Sequence, residues 1–392
     1  MIESIGIGVG IVLLLGWLGL EWVYRHRPGN ALETLPGNWQ IETCEPQFYR
    51  LVGEQTFINP TRSLEVMMPE LRVEVRLLSK GSLAEVQHRI EVIPLHPDAE
   101  ARPDGYWFAY IVKSRKQTTV KINVEITGPN LSELKAAWVQ VHYIAYGPKG
   151  RIPHTCHAVV PLRFPDPNSG MEWRPISGGQ VLPIPTHLLT QLDTCTEVVQ
   201  RYVSPQAQSG DIVTLGETPV AIMQGRLFHP SDIQPGWVAT RLCYFFLPTS
   251  SLATACGLQT LVNIEGPLRV FLAFVVSAIA RLLGQHGMFY RLAGEQARLI
   301  DDVTGTLPPF DQFIILGPEN PQQVVNQIKA ETGLEAAIVD VNDLKRVKIL
   351  AATDQVSFPF LEEALRSNPA GNADEQTPVV LVRPLANQSN LN

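Results

Sequence analysis

Residues 5–20 run for sixteen positions without a charge, and Trp22, Val23 and Tyr24 extend the run past a single Glu21. At 1.5 Å per residue a helix over residues 5–24 reaches about 30 Å, the thickness of a hydrocarbon core. A backbone in lipid must satisfy its own hydrogen bonds, so the run is expected to be a transmembrane helix. Trp17, Trp22 and Tyr24 suit the membrane interface, and Arg25, His26 and Arg27 follow at once. By the positive-inside rule the C-terminal body is then cytoplasmic and the protein single-pass. A cleaved signal peptide wants a basic stretch before the apolar run and small residues after it. Here the only early charge is Glu3, and the run ends in bulky residues.

The remaining residues, 45% apolar and 18% charged over the whole chain, suffice for two domains. With a net charge of −7 and no basic block after Arg27, nucleic-acid binding is not expected. The cysteines at 44, 156, 195, 243 and 256 are odd in number and scattered. That pattern fits free thiols in a reducing compartment.

Residues 25–48 are broken by Pro and Gly and read as a linker. Over 49–167 strand-like runs recur at 71–78, 85–93, 106–112, 119–126, 136–146 and 155–164. Val120, Ile122, Val124 and Ile126 alternate with Lys121, Asn123 and Glu125, the period of a strand with one dry face. Pro97, Gly105, Gly128-Pro129 and Gly147-Pro148 supply turns. Such runs predict a small antiparallel β-sandwich. Within it His154, Cys156 and His157 are close in sequence, but alternation sends neighbours to opposite faces, so they read as ordinary strand residues rather than a metal site. With the linker and sandwich in between, the second domain is expected to stand away from the bilayer.

Pro165 to Gly170 marks a boundary, and over 175–385 the pattern becomes mixed α/β, leaving a tail at 386–392. Helices are predicted at 193–202, capped by Asp193, at 321–332, closed by Gly333, and at 362–366. Strands are predicted at 211–213, 219–223, 335–339 and 378–382. The apolar segment 270–283, bracketed by Arg269 and Arg281, is too short to span a bilayer and reads as a buried core helix. The whole is α+β.

Several stretches occur in the order and spacing of a known family. They are Val181-Leu-Pro-Ile-Pro with Asp193, Ser209-Gly-Asp-Ile-Val with Gly225-Arg226, and Ala293-Gly294 with Leu307-Pro308-Pro309. Two more follow: Ile338-Val-Asp-Val-Asn342, and Gly371-Asn-Ala-Asp-Glu with Pro378-Val-Val-Leu-Val-Arg383. Residues 181–384 thereby resemble the coenzyme F420-0 gamma-glutamyl ligase family. The likeness covers half the chain, not the anchor or sandwich.

That resemblance implies a GTP-dependent acid–amino-acid ligase using a divalent metal, Mg or Mn, and a homodimer. A carboxylate is phosphorylated to an acyl phosphate and then attacked by an amine, and the triphosphate's charge must be spread by cations held by hard oxygen ligands. Asp340 at a strand end would be a metal ligand, with Glu295, Asp374 and Glu375, and with Asp343 as a helper. Arg226 and Asn342 would bind the nucleotide. Taken singly, Asp340 could cap a helix, Asp374-Glu375 could be an exposed loop, and Asp301-Asp302 a solvated turn. The chain departs from the family at Ala221-Ile222-Met223-Gln224, where a Lys is expected. It departs again after Gly294, where the charge sits at Glu295, one residue early. Two functions follow: a membrane-anchored amide ligase on an unnamed carboxylate, or a non-catalytic tethered binding or assembly module.

Overall fold

The computed structural model describes residues 12–23, 29–30, 32–167, 171–302, 307–341, 346–371 and 375–385. Of the expected transmembrane helix, residues 12–23 are described and form an apolar helix, Val12–Val23, with its side chains exposed. Residues 5–11 and 24 lie outside the described residues, as does the tail 386–392. Among the described residues no single helix is long and apolar enough to cross a membrane.

A sandwich of two antiparallel sheets follows. In one, Phe48–Ile58 and Gln117–Thr127 form the centre, with Gln87–Leu95 on one side and Asn38–Glu45 and Glu33–Thr34 on the other. In the second, Leu134–Gly147 pairs with Gly150–Pro161 and Leu71–Ser79, and the short strands Val66–Met68 and Tyr110–Val112 complete it. The alternation predicted from Val120 to Ile126 is met: all four apolar residues are buried. Residues 33–45, expected to be linker, instead contribute two strands. The reason is Trp39, whose ring packs over Gly53 on the neighbouring strand and leaves no room there for a Cβ.

The C-terminal domain is built on a six-stranded sheet in the order Arg174–Ile176, Gly179–Ile184, Val379–Pro384, Ile212–Gly216, Glu335–Val341, Val347–Ala352. One neighbouring pair, Ile212–Gly216 with Glu335–Val341, is parallel and the rest are antiparallel. Val213, Leu215 and Ile338 pack under the helical turns Cys195–Val203 and the helix Pro321–Thr332. Ile212, Ala337 and Val339 pack on the other face against Phe358–Leu365. Central strands buried on both faces read as continuous apolar runs, as these do.

Three expectations are corrected here. Residues 219–223, predicted as a strand, belong to the helix Glu217–Met223, because a short apolar run does not distinguish a buried strand from a buried helix. Asp193 does not cap the next helix: Thr194 does, in a capping box with Glu197, and Asp193 accepts from His187 Nε2 at 2.8 Å. The segment expected to be a buried core helix is Pro267–Leu282, and of it only Val270, Ala273 and Ala280 are buried. It packs on Ala255–Glu265 within a helical subdomain, half-buries Phe271 and Phe274, and turns Leu268, Leu272, Val275, Val276, Ile279 and Leu282 outward.

The two domains share a core in which Trp138 and Val159 of the sandwich meet Ile222, Phe310 and Phe313. At that junction His157, His229 and Asp232 bring one ligand atom each to within 4.8 Å of one another. Trp138 Nε1 donates to His157 Nδ1 at 3.3 Å, which leaves the proton of a neutral ring on Nε2, 3.7 Å from Asp232. Ser231 N donates to His229 Nδ1 in the same way. The rings of His157 and His229 pack on each other and on Phe313, so the group forms part of the contact between the two domains. His154 stacks on Tyr143 and Cys156 packs on the sandwich core, on the opposite face from His157.

Candidate functional site

A cavity of about 540 Å³ opens where the parallel strands Ile212–Gly216 and Glu335–Val341 end. Clefts at the carboxyl ends of neighbouring parallel strands are a usual place for ligands, because chain leaving the sheet in different directions cannot fill them. The first residue beyond one strand is Glu217, the opening residue of its helix. Near the end of the other is Asp340. Asp301, on a small accessory strand paired with Ile315, completes a set of three carboxylates in the wall. His187 forms part of the same wall, held by Tyr202 Oη at 2.7 Å and by Asp193, so both its ring nitrogens are engaged.

The electrostatics of the three acids are unfavourable to charge. Burial pushes Glu217 up to about 8, and the neighbouring Asp340 and Asp301 push in the same direction, against a weaker pull from Lys348. Its Oε2 is buried and has no hydrogen-bond partner among the described residues. Asp340 is raised by burial, against the pull of Lys348, its register partner on the adjacent strand. Asp301 keeps solvent access, while the protein around it desolvates its carboxyl group. That desolvation, then the charge of Asp340, raise it against a hydrogen bond from Thr218. Among the described residues, the one Lys or Arg in the cavity wall is Arg298.

Buried carboxylates without cations are costly, and the ordinary remedies are protonation or a bound cation. The donor set is all hard oxygen, the kind that Mg²⁺ or Mn²⁺ takes, and the orphaned Glu217 oxygen gives such an ion an open coordination site. The residues therefore fit a divalent cation. Their oxygens do not all fall within 4.8 Å of one another, so the set is spread along the cavity rather than closed around one point.

The sequence-derived candidates are distributed unevenly over this geometry. Asp340 lies in the cavity wall, as does Asp301. Asn342, Asp343 and Asp374 lie outside the described residues. Glu295 is exposed at the start of a 3-10 turn and is not part of the wall. Glu375 lines a separate recess of about 160 Å³ with Lys80, Lys135 and Arg163. Arg226 is held elsewhere: its Nε donates to Gly317 O at 2.7 Å and its Nη1 to Glu319 at 3.2 Å. With Gln224 bonded in both directions to the Glu319 backbone, the Gly225-Arg226 turn is fastened to residues 317–319. Sequence reasoning missed Glu217 and Arg298. Glu217 had one signal, an acid directly after a Gly that ends an apolar run, which becomes a helix start only if the following residues are helical.

Residues 33–164 match the family described as F420-0:gamma-glutamyl ligase, N-terminal Ig-like domain. The match falls on the sandwich, to which the sequence motifs did not extend, and not on residues 181–384. No curated protein matches the chain. Among solved structures, the GAE domain of GGA2p from Saccharomyces cerevisiae is similar at 8% identity, over 34% of this chain and 99% of that one, with a TM-score of 0.21. A protein from Archaeoglobus fulgidus is similar at 10% identity, over 33% of this chain and 94% of that one, with a TM-score of 0.20.

Proposed function

We propose that this ligase-related chain binds a divalent cation in the cavity at the ends of strands Ile212–Gly216 and Glu335–Val341, and uses it in nucleotide-dependent amide formation. The observation that carries the reading is Glu217, a crowded carboxylate with an oxygen that no group among the described residues satisfies. Asp340, in the same cavity wall, supplies a further oxygen ligand of the same kind. A bound divalent cation would neutralise these carboxylates and the phosphates of GTP together.

In this reading Arg298 meets the polyphosphate as a forked donor. A substrate carboxylate attacks the terminal phosphorus, the nucleoside diphosphate leaves, and an acyl phosphate results. An amine then attacks the acyl carbon, phosphate leaves with its electron pair, and the amine's proton passes to a base. Asp301 is our choice of base, since it has solvent access and a raised pKa. The apolar segment from residue 5, with the exposed helix Val12–Val23, remains our proposed single-pass tether, with the body cytoplasmic.

A second reading, a non-catalytic module on the same scaffold, is favoured by Arg226. Its guanidinium is committed to Gly317 and Glu319, and the preceding residues 221–224 carry no cation. Calorimetry of Mn²⁺ and of GTP binding to the full-length protein separates the two. The ligase reading expects Mn²⁺ binding, GTP binding that depends on Mn²⁺, and at least a tenfold loss of both in Asp340→Asn. Mn²⁺ binding without GTP binding leaves the non-catalytic module, and no Mn²⁺ binding removes the cation site altogether.

A further inference from the structure

The helical subdomain between Ile233 and Ile300 turns apolar surface outward on a scale the rest of the body does not. On helix Pro267–Leu282 the exposed residues Leu268, Leu272, Val275, Ile279 and Leu282 recur every three or four positions, so they form one stripe. The inner face packs Val270 and Ala273 into the subdomain core. Leu272 is 51% exposed and Leu282 88%. Aromatic residues extend the stripe sideways: Phe245 packs on Phe274 at 5.2 Å between ring centroids, and Trp237 on Phe271 at 6.1 Å. Tyr244, 85% exposed, lies in the same segment. Contiguous apolar surface of this kind marks a contact with another phase or partner.

Charge selects among occupants. Between Asp232 and Glu295 the sole acid is Glu265, against Arg241, Arg269, Arg281 and Arg291, in a chain of net charge −7. Glu265 is taken by Arg269. Arg241, Arg281 and Arg291 have no carboxylate partner among the described residues. A two-fold contact between copies would set arginine-rich, acid-poor surfaces against each other, with no acid to pair them. An anionic lipid surface complements them, and exposed Trp and Tyr beside an apolar stripe suit the depth of the headgroups.

We propose that the outer face of helix Pro267–Leu282, with the aromatic segment beside it, lies in the plane of an anionic bilayer surface. The C-terminal domain is then seated on the membrane, opposite to the arrangement expected from the linker and sandwich. The contact is independent of the cavity and of whether the cavity is catalytic. At about 24 Å the helix is long enough to lie along the interface. Its bend of 113° against the buried helix Ala255–Glu265 keeps it on the surface of the fold.

The test places a nitroxide label at Ile279→Cys, or at Asn326→Cys as a control, in the full-length Cys44→Ser protein. Each is reconstituted in phosphatidylcholine vesicles with and without phosphatidylglycerol. With phosphatidylglycerol present, the Ile279 label is expected to collide with a water-soluble nickel chelate on the order of tenfold less often than the control, while remaining accessible to oxygen. Arg281→Gln with Arg291→Gln is expected to remove most of that protection, because each charge lost weakens attraction to the anionic surface about fivefold. An Ile279 label as open to nickel as the control overturns the proposal. So does one shielded from nickel and oxygen alike with or without lipid, the sign of a second copy. Insensitivity to both arginine substitutions overturns it as well.

Discussion

The strand Ile212–Gly216 carries a carboxylate at each end, and the two are treated in opposite ways. At the near end Asp211, 2% exposed, receives a forked pair of hydrogen bonds from Arg383, Nε to Oδ1 at 2.8 Å and an Nη to Oδ2 at 2.7 Å. Arg383 in turn lies over the Trp173 ring at 4.2 Å. At the far end Glu217 has, among the described residues, no guanidinium partner and an unsatisfied buried oxygen, and it faces two more acids. The first arrangement is complete within the protein, so its role is to hold the sheet. The second is left incomplete among the described residues, and our proposal is that a proton or a cation from outside completes it.

The largest effect should come from breaking the complete end. Arg383→Ala leaves Asp211 buried without its partner and is expected to cost roughly 3–5 kcal/mol by denaturant unfolding. Equal stability of the variant and the natural protein would mean that the two ends do not differ as described.

The incomplete end should respond with the opposite sign. Glu217 is raised from 4.5 to about 8 in the folded protein, so its stabilising protonation is fully present below about pH 4.5 and is lost as pH rises through about 8. Glu217→Gln does not titrate. It should gain roughly 1–3 kcal/mol over the natural protein at pH 8.5 compared with pH 5, without added cation. A constant difference across that range would show that Glu217 is ionised in both states. Cation binding should strengthen by up to about tenfold per unit of pH between pH 6 and 8, because the proton must leave first. The smallest effect belongs to Arg226→Lys, which gives up the forked contact with Gly317 and Glu319. About 1 kcal/mol of stability is expected to go, with Mn²⁺ affinity unchanged.

How much of this could be read in the sequence depended on the range over which each signal acts. Alternation from Val120 to Ile126 and the turns at Gly128 and Gly147 are local, and the sandwich followed from them. Asp340 was singled out by the resemblance of Ile338-Val-Asp-Val-Asn342 to a family motif at a strand end, and it lies in the cavity wall. Glu217 was not, since its role requires that Glu217–Met223 be a helix and that the strand Glu335–Val341 arrive beside it from more than a hundred residues away. Arg226 looked available because nothing near it in sequence claims a guanidinium, whereas Gly317 and Glu319 do so through the fold. The helix Pro267–Leu282 was assigned to the core from its composition, and composition does not reveal how many faces of a helix find a neighbour.

Calorimetry of Mn²⁺ binding to the full-length protein at pH 7, repeated in buffers of different ionisation enthalpy, tests the cavity most directly. The incomplete carboxylate end should release about one proton per cation bound, and Glu217→Gln should abolish that release. Mn²⁺ bound with no proton release, or with the same release in Glu217→Gln, would contradict a site built on Glu217.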